Sequence, residues 1–396
     1  MGLLSTEQKN LALTSLAVLL REKSAVLMEA NSKDLEEQKG VLPMPLFQRL
    51  KLDNLKIEAL VEGCHDLIQL PDPVGKILLS HPLQPNLLLE RVSVPLGVLA
   101  VIFESRPDVI PQILALSLKS GNSVILKAGR EARNTVGAFR ELIDELSKRC
   151  EFLPNQWCLV LDSREEVREL LEMDDLIDLV IPRGSNEMVR EIQKSTHIPV
   201  MGHAEGVCHM YIHSPCDIKM AVDLAVNAKA QYPSACNALE TLLIDVGISE
   251  IFLPHFADVA ELVGIQLRGC EESRRILPQI ERAIEEDWRA EYGDLRLAIR
   301  VVSGLNDAIT HINEYGSHHT DSIVTSDKAA AEIFLSAVDS ACVFHNVSTR
   351  FADGFRFGFG AEVGISTSKL HARGPVGLDG LVSYKYKLRG GGHTVS

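Results

Sequence analysis

Residues 97–133 read GVLAVIFESRPDVIPQILALSLKSGNSVILKAGREAR, and their order decides the fold. An apolar, β-branched run (97–103) gives way to Glu104, Ser105 and Arg106. Pro107 then opens a segment of helical length (107–119), because its missing N–H and fixed φ suit the first turn of a helix. A second apolar run, SVILK (123–127), follows, and Gly129 leads into another amphipathic helix (131–149). Strand, helix, strand at this spacing predicts a parallel, doubly wound α/β sheet. Such sheets bind ligands where their strands end and turn into helices, so the turns after residues 103 and 127 are the first places to look for a site.

The alternation continues outward from there. Strands are predicted at 157–161, 177–182 and 207–212, with helices at 164–173 and 185–194. A second series has strands at 240–244, 295–302, 322–325 and 342–346 and helices at 250–264, 274–285, 305–314 and 327–337. It predicts a second α/β domain. Residues 1 to about 70 carry apolar positions at helical spacing and read as helices. Asn86–Val94 alternates like a strand, and so does the tail LVSYKYKLRG (381–390). A terminal edge strand of that length pairs either with another domain or across a subunit contact.

With 396 residues the chain is long enough for two domains and a large core. Its 46% hydrophobic and 24% charged residues place it among folded globular proteins. A net charge of -14 with no block of Lys and Arg argues against a nucleic-acid partner, while leaving room for a local pocket for a small anion. No uncharged apolar run reaches the ~18 residues of a membrane span. The N-terminal stretch, interrupted by Arg21, Glu22 and Lys23, is too polar for a signal peptide. The 8 cysteines are scattered without a CxxC pair, which predicts reduced thiols in a cytoplasmic compartment, or a mitochondrial one if a transit peptide has been removed. His318 and His319 have no third ligand at metal spacing, so no metal is expected.

Two turns are basic. In LKAGREARNT (126–135) the helix that follows Gly129 offers backbone N–H groups to an anion, with Lys127, Arg130 and Arg133 close by. In IPRGSNEMVREI (181–192), Arg183 and Gly184 precede Ser185 and Asn186, which can cap the next helix. Each turn taken singly also reads as a capped helix in an α/β layer. Two of them in one sheet favour a dinucleotide. The third turn, Glu104–Ser105–Arg106, gathers polar groups that are costly to bury unpaired. Farther on, QYPSACNALETLLI (231–244) presents Cys236. A lone cysteine in such a chain defaults to a small core hydrophobe, and Cys64, Cys150, Cys158, Cys208, Cys216, Cys270 and Cys342 take that reading. The flanks of Cys236 are the small, turn-forming Pro233, Ser234, Ala235, Asn237 and Ala238, so Cys236 is either a buried spacer or a nucleophile held at a turn. It falls where the first series gives way to the second, the interdomain position at which clefts form.

The stretches VPLGVLAVIFESRPDV, IDLVIPRGSNEMV, VMGHAEGVCHMY, YPSACNALETLL, GSHHTDSIVT and STRFADGFRFGFGAEVGISTSKLHARGPVGLDGL resemble the gamma-glutamyl phosphate reductase family, a branch of the aldehyde dehydrogenase superfamily. The resemblance runs from about residue 10 to 390. It implies an aldehyde-dehydrogenase-like α/β fold with a Rossmann-type NADP-binding domain (1–228, of which 79–94 gives an oligomerisation strand), a second α/β catalytic domain (229–360), and a return segment with the other oligomerisation strand (361–396). The tail strand would pair with 86–94 in an oligomerisation hairpin of a homodimer or larger homo-oligomer. The resemblance makes Cys236 the nucleophile, with Asn237 or Ser105 helping backbone N–H groups at the oxyanion. It assigns Lys127, Gly129, Arg130, Arg183, Gly184, Ser185, Glu291 and Tyr292 to the cofactor, Arg130 favouring the extra phosphate of NADP. It also implies NADPH-dependent reduction of L-glutamyl 5-phosphate in proline biosynthesis, with functional coupling to glutamate 5-kinase. Arg106, Arg350, His371 and Arg373 suit the substrate's anionic groups, and Glu104 or Asp353 its ammonium, each charged residue being equally readable as half of a structural ion pair. Aldehyde-oxidising relatives carry a water-activating glutamate where this chain has His203. Two rivals stand beside this reading: an oxidising NAD-dependent aldehyde dehydrogenase, disfavoured by His203, and an inactive scaffold, disfavoured by Cys236 and the phosphate turns.

Overall fold

The computed structural model describes residues 1–202 and 205–395, and His203 lies outside the described residues. The chain divides into two compact units, Met1–Gly202 with Gly358–Gly364 and Pro375–Ser396, and His203–Phe357 with Ile365–Gly374.

The first unit starts with helices α1 (Thr6–Glu22), α2 (Ser24–Gln38), α3 (Met44–Leu50) and α4 (Asn54–Gln69). Ser5 and Gln8 form a reciprocal capping box that fixes the start of α1, and Ala12, Leu13, Leu16, Leu19 and Leu20 bury its apolar face. Strands β1 (Ile77–Gln84) and β2 (Leu87–Pro95) form a hairpin. Then comes the predicted α/β series: β3 (Val98–Phe103), α5 (Val109–Ser120), β4 (Ser123–Ala128), α6 (Arg133–Arg149), β5 (Cys158–Leu161), α7 (Arg164–Leu171), β6 (Leu179–Arg183) and α8 (Asn186–Ser195). Its four strands lie parallel in the order β5-β4-β3-β6. Every residue of α5 but one is buried, as befits a helix that is apolar nearly all round.

The tail strand, Val382–Arg389, pairs antiparallel with β2, from Val382 opposite Pro95 to Arg389 opposite Leu88. The tail thus meets the expected partner segment, 86–94, and does so within the same chain and the same compact unit. Asn122 anchors the tail. Its Oδ1 accepts from Gly97 N at 2.8 Å, and its Nδ2 donates to Leu381 O at 2.8 Å.

The second unit is a seven-stranded sheet. Its elements are β7 (Cys208–Ile212), α9 (Ile218–Ala230), β8 (Leu239–Asp245), α10 (Val246–Leu262), β9 (Gln266–Gly269), α11 (Glu271–Ile276), β10 (Glu281–Arg282), β11 (Arg296–Val302), α12 (Leu305–Tyr315), β12 (Thr320–Val324), α13 (Lys328–Ala337) and β13 (Cys342–His345). The order is β10-β9-β11-β8-β7-β12-β13, all parallel. Leu242, Ile244, Phe252, Phe256 and Ile299 form part of its core.

Three expectations change. The strand at 207–212 belongs to the second sheet, between β8 and β12, rather than to the first. The reason is the helix α9, which the sequence reading passed over. It returns the chain from β7 to the parallel neighbour β8 as a βαβ unit, so β7 opens the second series. The compact units accordingly divide after Gly202 and not at 228, and within 361–396 the segment Ile365–Gly374 goes with the second unit. The helix expected over 274–285 stops at Ile276, because Pro278 offers no N–H and clashes with a continuing helix.

Candidate active site

In the first unit, three neighbouring strands end level with one another. Phe103 of β3 lies opposite Ala128 of β4 on one side and Arg183 of β6 on the other. The turns that follow therefore open along one sheet edge, which brings together Glu104, Ser105, Arg106, Lys127, Gly129, Arg130, Arg183, Gly184 and Ser185, all singled out in the sequence. Backbone bonds join these turns: Glu104 N donates to Arg183 O (3.1 Å) and Gly129 N to Phe103 O (2.9 Å).

Two carboxylates occupy donors of these turns. Glu104 Oε2 accepts from Ser185 N, the cap of α8, at 2.9 Å. Glu131 Oε1 accepts from both Ser105 N (2.5 Å) and Ser105 Oγ (3.0 Å). Ser105 is buried and has φ 49, a left-handed conformation that a serine adopts at some cost. These contacts give two of the singled-out residues structural partners. Glu104, expected to meet the substrate's ammonium, caps a helix. Ser105, expected at the oxyanion, has both its donors engaged by Glu131. The physical cause is the same in each case: backbone N–H groups at a turn or helix start attract the nearest anion. Two glycines leave room for these carboxylates. A Cβ on Gly129 would fall 2.1 Å from Glu131 Oε1, and one on Gly184 would fall 2.6 Å from Glu104 Oε2 and 2.5 Å from Met188 Cε.

Lys127 is buried at the end of β4, and its ammonium donates to Ala128 O. Burial lowers its pKa from the usual lysine value, with Glu131 opposing and Arg130 and Arg164 reinforcing the shift. A level row of turns with a helix start, side-chain-free glycines and clustered cations fits the phosphates and ribose of a dinucleotide. A phosphate at the start of α8 would take Ser185 N in place of Glu104.

In the second unit, Cys236 sits in the eight-residue loop (231–238) between α9 and β8. Two tight turns shape it: Ala235 N donates to Tyr232 O at 3.1 Å and Ala238 N to Ala235 O at 2.9 Å. The residue is half-buried. Its peptide rests against Gly206, where a Cβ would lie 2.0 Å from Cys236 O. From β7, Cys208 Sγ donates to Cys236 O at 3.3 Å. Asn237 Nδ2 donates to Ala352 O at 2.9 Å, so the Asn237 amide helps hold the loop in place. Arg350 Nε donates to Gln231 Oε1 at 2.9 Å, and the guanidinium lies 5.7 Å from the Tyr232 ring centre, within electrostatic reach of Cys236. Cys236, Asn237 and Arg350 are thus brought together. Burial pushes the thiols of Cys64 and Cys158 up to about 12, that of Cys216 up to about 11 and that of Cys208 well above its ordinary value, which keeps them protonated and inert.

Other assigned residues have structural partners. Arg373 Nη2 donates to Asp339 Oδ1 (3.1 Å) and to Asp339 O (3.2 Å), and Lys369 shares the same carboxylate. Arg373 is therefore half of an ion pair, the alternative the sequence left open. His371 is exposed on the same segment. Tyr292 OH donates to Asp287 Oδ1 at 2.6 Å, with the Arg296 guanidinium 5.0 Å from its ring centre. Among the described residues no three His, Cys, Asp or Glu side chains group to hold a metal, and no helix is long and apolar enough to cross a membrane.

The sequence reading overlooked Glu131, Gly206, Lys229 and Glu240. Lys229 Nζ and Glu240 Oε2 form a fully buried ion pair at 2.6 Å. Glu240 had a visible signal, an acid inside the apolar run LETLLI, since a carboxylate in a buried strand demands a partner.

Parallel sheets carrying nucleotide-type turns in one unit, and a cysteine on a tight loop in the other, define an aldehyde dehydrogenase fold, and the aldehyde dehydrogenase family model matches residues 75–287. Proteins of that family are nicotinamide-dependent oxidoreductases. The chain belongs to the family and, within it, to the gamma-glutamyl phosphate reductases. It is 52% identical over 391 residues to the gamma-glutamyl phosphate reductase of Acetivibrio thermocellus, covering 98% of this chain and 90% of that one. It is 48% identical over 397 residues to the enzyme of that name from Nostoc punctiforme, covering 100% and 91%. The crystal structure of gamma-glutamyl phosphate reductase from Thermotoga maritima matches with a TM-score of 0.96 at 38% identity, covering 100% of this chain and 96% of that one.

Proposed function

We propose that this chain reduces L-glutamyl 5-phosphate to L-glutamate 5-semialdehyde with NADPH, through a thioester on Cys236, as a step of proline biosynthesis. The observation that carries this reading is the presentation of Cys236. It is half-exposed on a short loop braced by Gly206, Cys208 and Asn237, in a chain this similar to gamma-glutamyl phosphate reductases.

The Cys236 thiolate attacks the acyl carbon. A C–S bond forms, the C–O bond to phosphate breaks, and phosphate leaves with the bonding electrons and takes a proton from solvent. Backbone N–H groups of the 231–238 loop stabilise the oxyanion. A nicotinamide cofactor, held through its phosphates and ribose by Lys127, Arg130, Arg183 and Gly184, would supply the hydride that reduces the thioester carbon. The resulting oxyanion collapses, the C–S bond breaks, and the aldehyde departs as the thiolate is restored. Splitting one displacement into two gives each a lower barrier. In the first unit, Lys127, Arg130, Gly184 and Arg183 would hold the cofactor, and the cation at Arg130 favours NADPH over NADH. Arg350, within electrostatic reach of Cys236, serves the substrate's anionic groups.

Run in reverse, oxidation of glutamate semialdehyde with NADP should require inorganic phosphate, because phosphate is the acyl acceptor. An NADPH-production assay with and without phosphate tests this, and equal rates in both would end the reductase reading. The three-stranded sheet of β1, β2 and the tail strand further supports a homodimer or larger homo-oligomer. Every residue of β1 is exposed, as are all those of the tail strand after Val382, which leaves both strands open to pairing. Light scattering that returned only the 43.6 kDa monomer would remove this part of the reading.

A further inference from the structure

Glu240 and Lys229 flank the nucleophile loop. Lys229 lies on the last turn of α9 and Glu240 is the second residue of β8, so their contact closes the base of the loop that carries Cys236. Both side chains are fully buried. The other carboxylate oxygen, Glu240 Oε1, accepts from Gly293 N at 3.3 Å, and the Lys229 ammonium lies 5.8 Å from the Tyr292 ring centre. Gly293 has φ 64, a left-handed conformation that glycine adopts freely. One carboxylate therefore ties the segment Glu291–Asp294 to the strand that Cys236 leads into.

Stability does not account for such a pair. Burying two charges costs about as much as their attraction returns, and apolar side chains of similar volume commonly serve as well. The two ends of the link also differ. The Cys236 loop has other ties, through Asn237 to Ala352, Gln231 to Arg350 and Cys208 to Cys236 O. The Gly293 turn is also held by Tyr292 to Asp287 and by Arg296 to Asp294, but those ties stay within residues 287–296, whereas Glu240 joins the turn to β8. We infer that Lys229 and Glu240 are a positioning pair for the reduction step: Lys229 fixes the Glu240 carboxylate, and the carboxylate fixes the Glu291–Asp294 segment relative to the nucleophile strand. This inference rests on the proposed function and on the assignment of Glu291 and Tyr292 to the nicotinamide ribose.

The test is the double variant Lys229→Met with Glu240→Met, which removes both charges together and leaves no orphaned ion. Its melting temperature should stay within about 5 °C of wild type. Acylation of Cys236, followed by intact mass with glutamyl phosphate and no NADPH, should proceed within about threefold of the wild-type rate. The burst of NADPH formed from glutamate semialdehyde and NADP, which reads hydride transfer, should slow by about 10²-fold, the usual cost of an ångström of misplacement. A wild-type burst in the folded variant overturns the inference, and so does an equal fall in both steps, which would put the pair's effect on the nucleophile loop itself. Should the double variant not fold, Glu240→Asp keeps the charge and withdraws the carboxylate from Gly293, and the same two measurements decide. Failure of the proposed function would look different: wild-type enzyme would form no acyl adduct at all.

Discussion

Replacing Cys236 by alanine should lower NADPH-dependent reduction of glutamyl phosphate on the order of 10⁵-fold, the scale of losing a covalent nucleophile. Cofactor affinity should hold, because the turns that fit the dinucleotide belong to the first unit while Cys236 belongs to the second. The sulfur atom is the whole of the loss. Alanine is smaller than cysteine and asks nothing new of the loop, whose Asn237–Ala352 and Ala238–Ala235 bonds do not involve the thiol. Turnover by coupled NADPH oxidation and cofactor binding by fluorescence measure the two halves. A companion observation makes the expectation sharper. Wild-type chain incubated with glutamyl phosphate and no reductant should gain one acyl group, mapped by mass spectrometry to Cys236. An adduct on another cysteine, or turnover surviving in the alanine variant, would dismiss Cys236 as the nucleophile.

The second large effect belongs to a residue with no chemistry of its own. A Cβ on Gly206 would stand 2.0 Å from Cys236 O, 2.6 Å from Cys236 C and 2.7 Å from Cys236 Cα. All three are backbone atoms, so no side chain can swing aside to make room. Gly206→Ala must push the nucleophile turn by about an ångström or withdraw the start of β7, and a displacement of that size costs about 10²-fold in rate. The expected result is a folded chain with intact cofactor binding and a kcat/KM for glutamyl phosphate reduced by about that factor. A variant with wild-type kcat/KM would mean that the turn has slack which its hydrogen bonds do not suggest.

Much of this fold could be read directly from the chain. The strands β3, β4 and β6 are apolar runs punctuated by Pro107, Gly129 and Gly184, and polar residues after each run mark its functional end. Cys236 stood out because its flanks are small. What the sequence concealed were choices that local pattern does not encode. A run such as CHMYI states that it is a strand but not which sheet receives it, and only the α9 crossover decides. Glu131 and Ser105 stand 26 residues apart, and Glu104 and Ser185 81 apart. Whether such carboxylates meet ligand or backbone is settled by tertiary distance. In the sequence Gly206 reads like any loop glycine, and only the fold sets the peptide of Cys236 against it. The helix expected over 274–285 ends at Ile276 for a reason that is local, the proline at position 278.

The tail strand has a consequence for how the protein comes into being. Asn122 and Leu381, 259 residues apart, share a hydrogen bond, and β2 acquires its last neighbour from Val382–Arg389. On the ribosome, β2 must wait with an unfinished edge until Val382–Arg389 has emerged. Each unit has a contiguous bulk, Met1–Gly202 in the first and His203–Phe357 in the second, and each is completed by later segments. A nascent chain stalled before Val382 would carry an unzipped edge on β2 for a chaperone to shield.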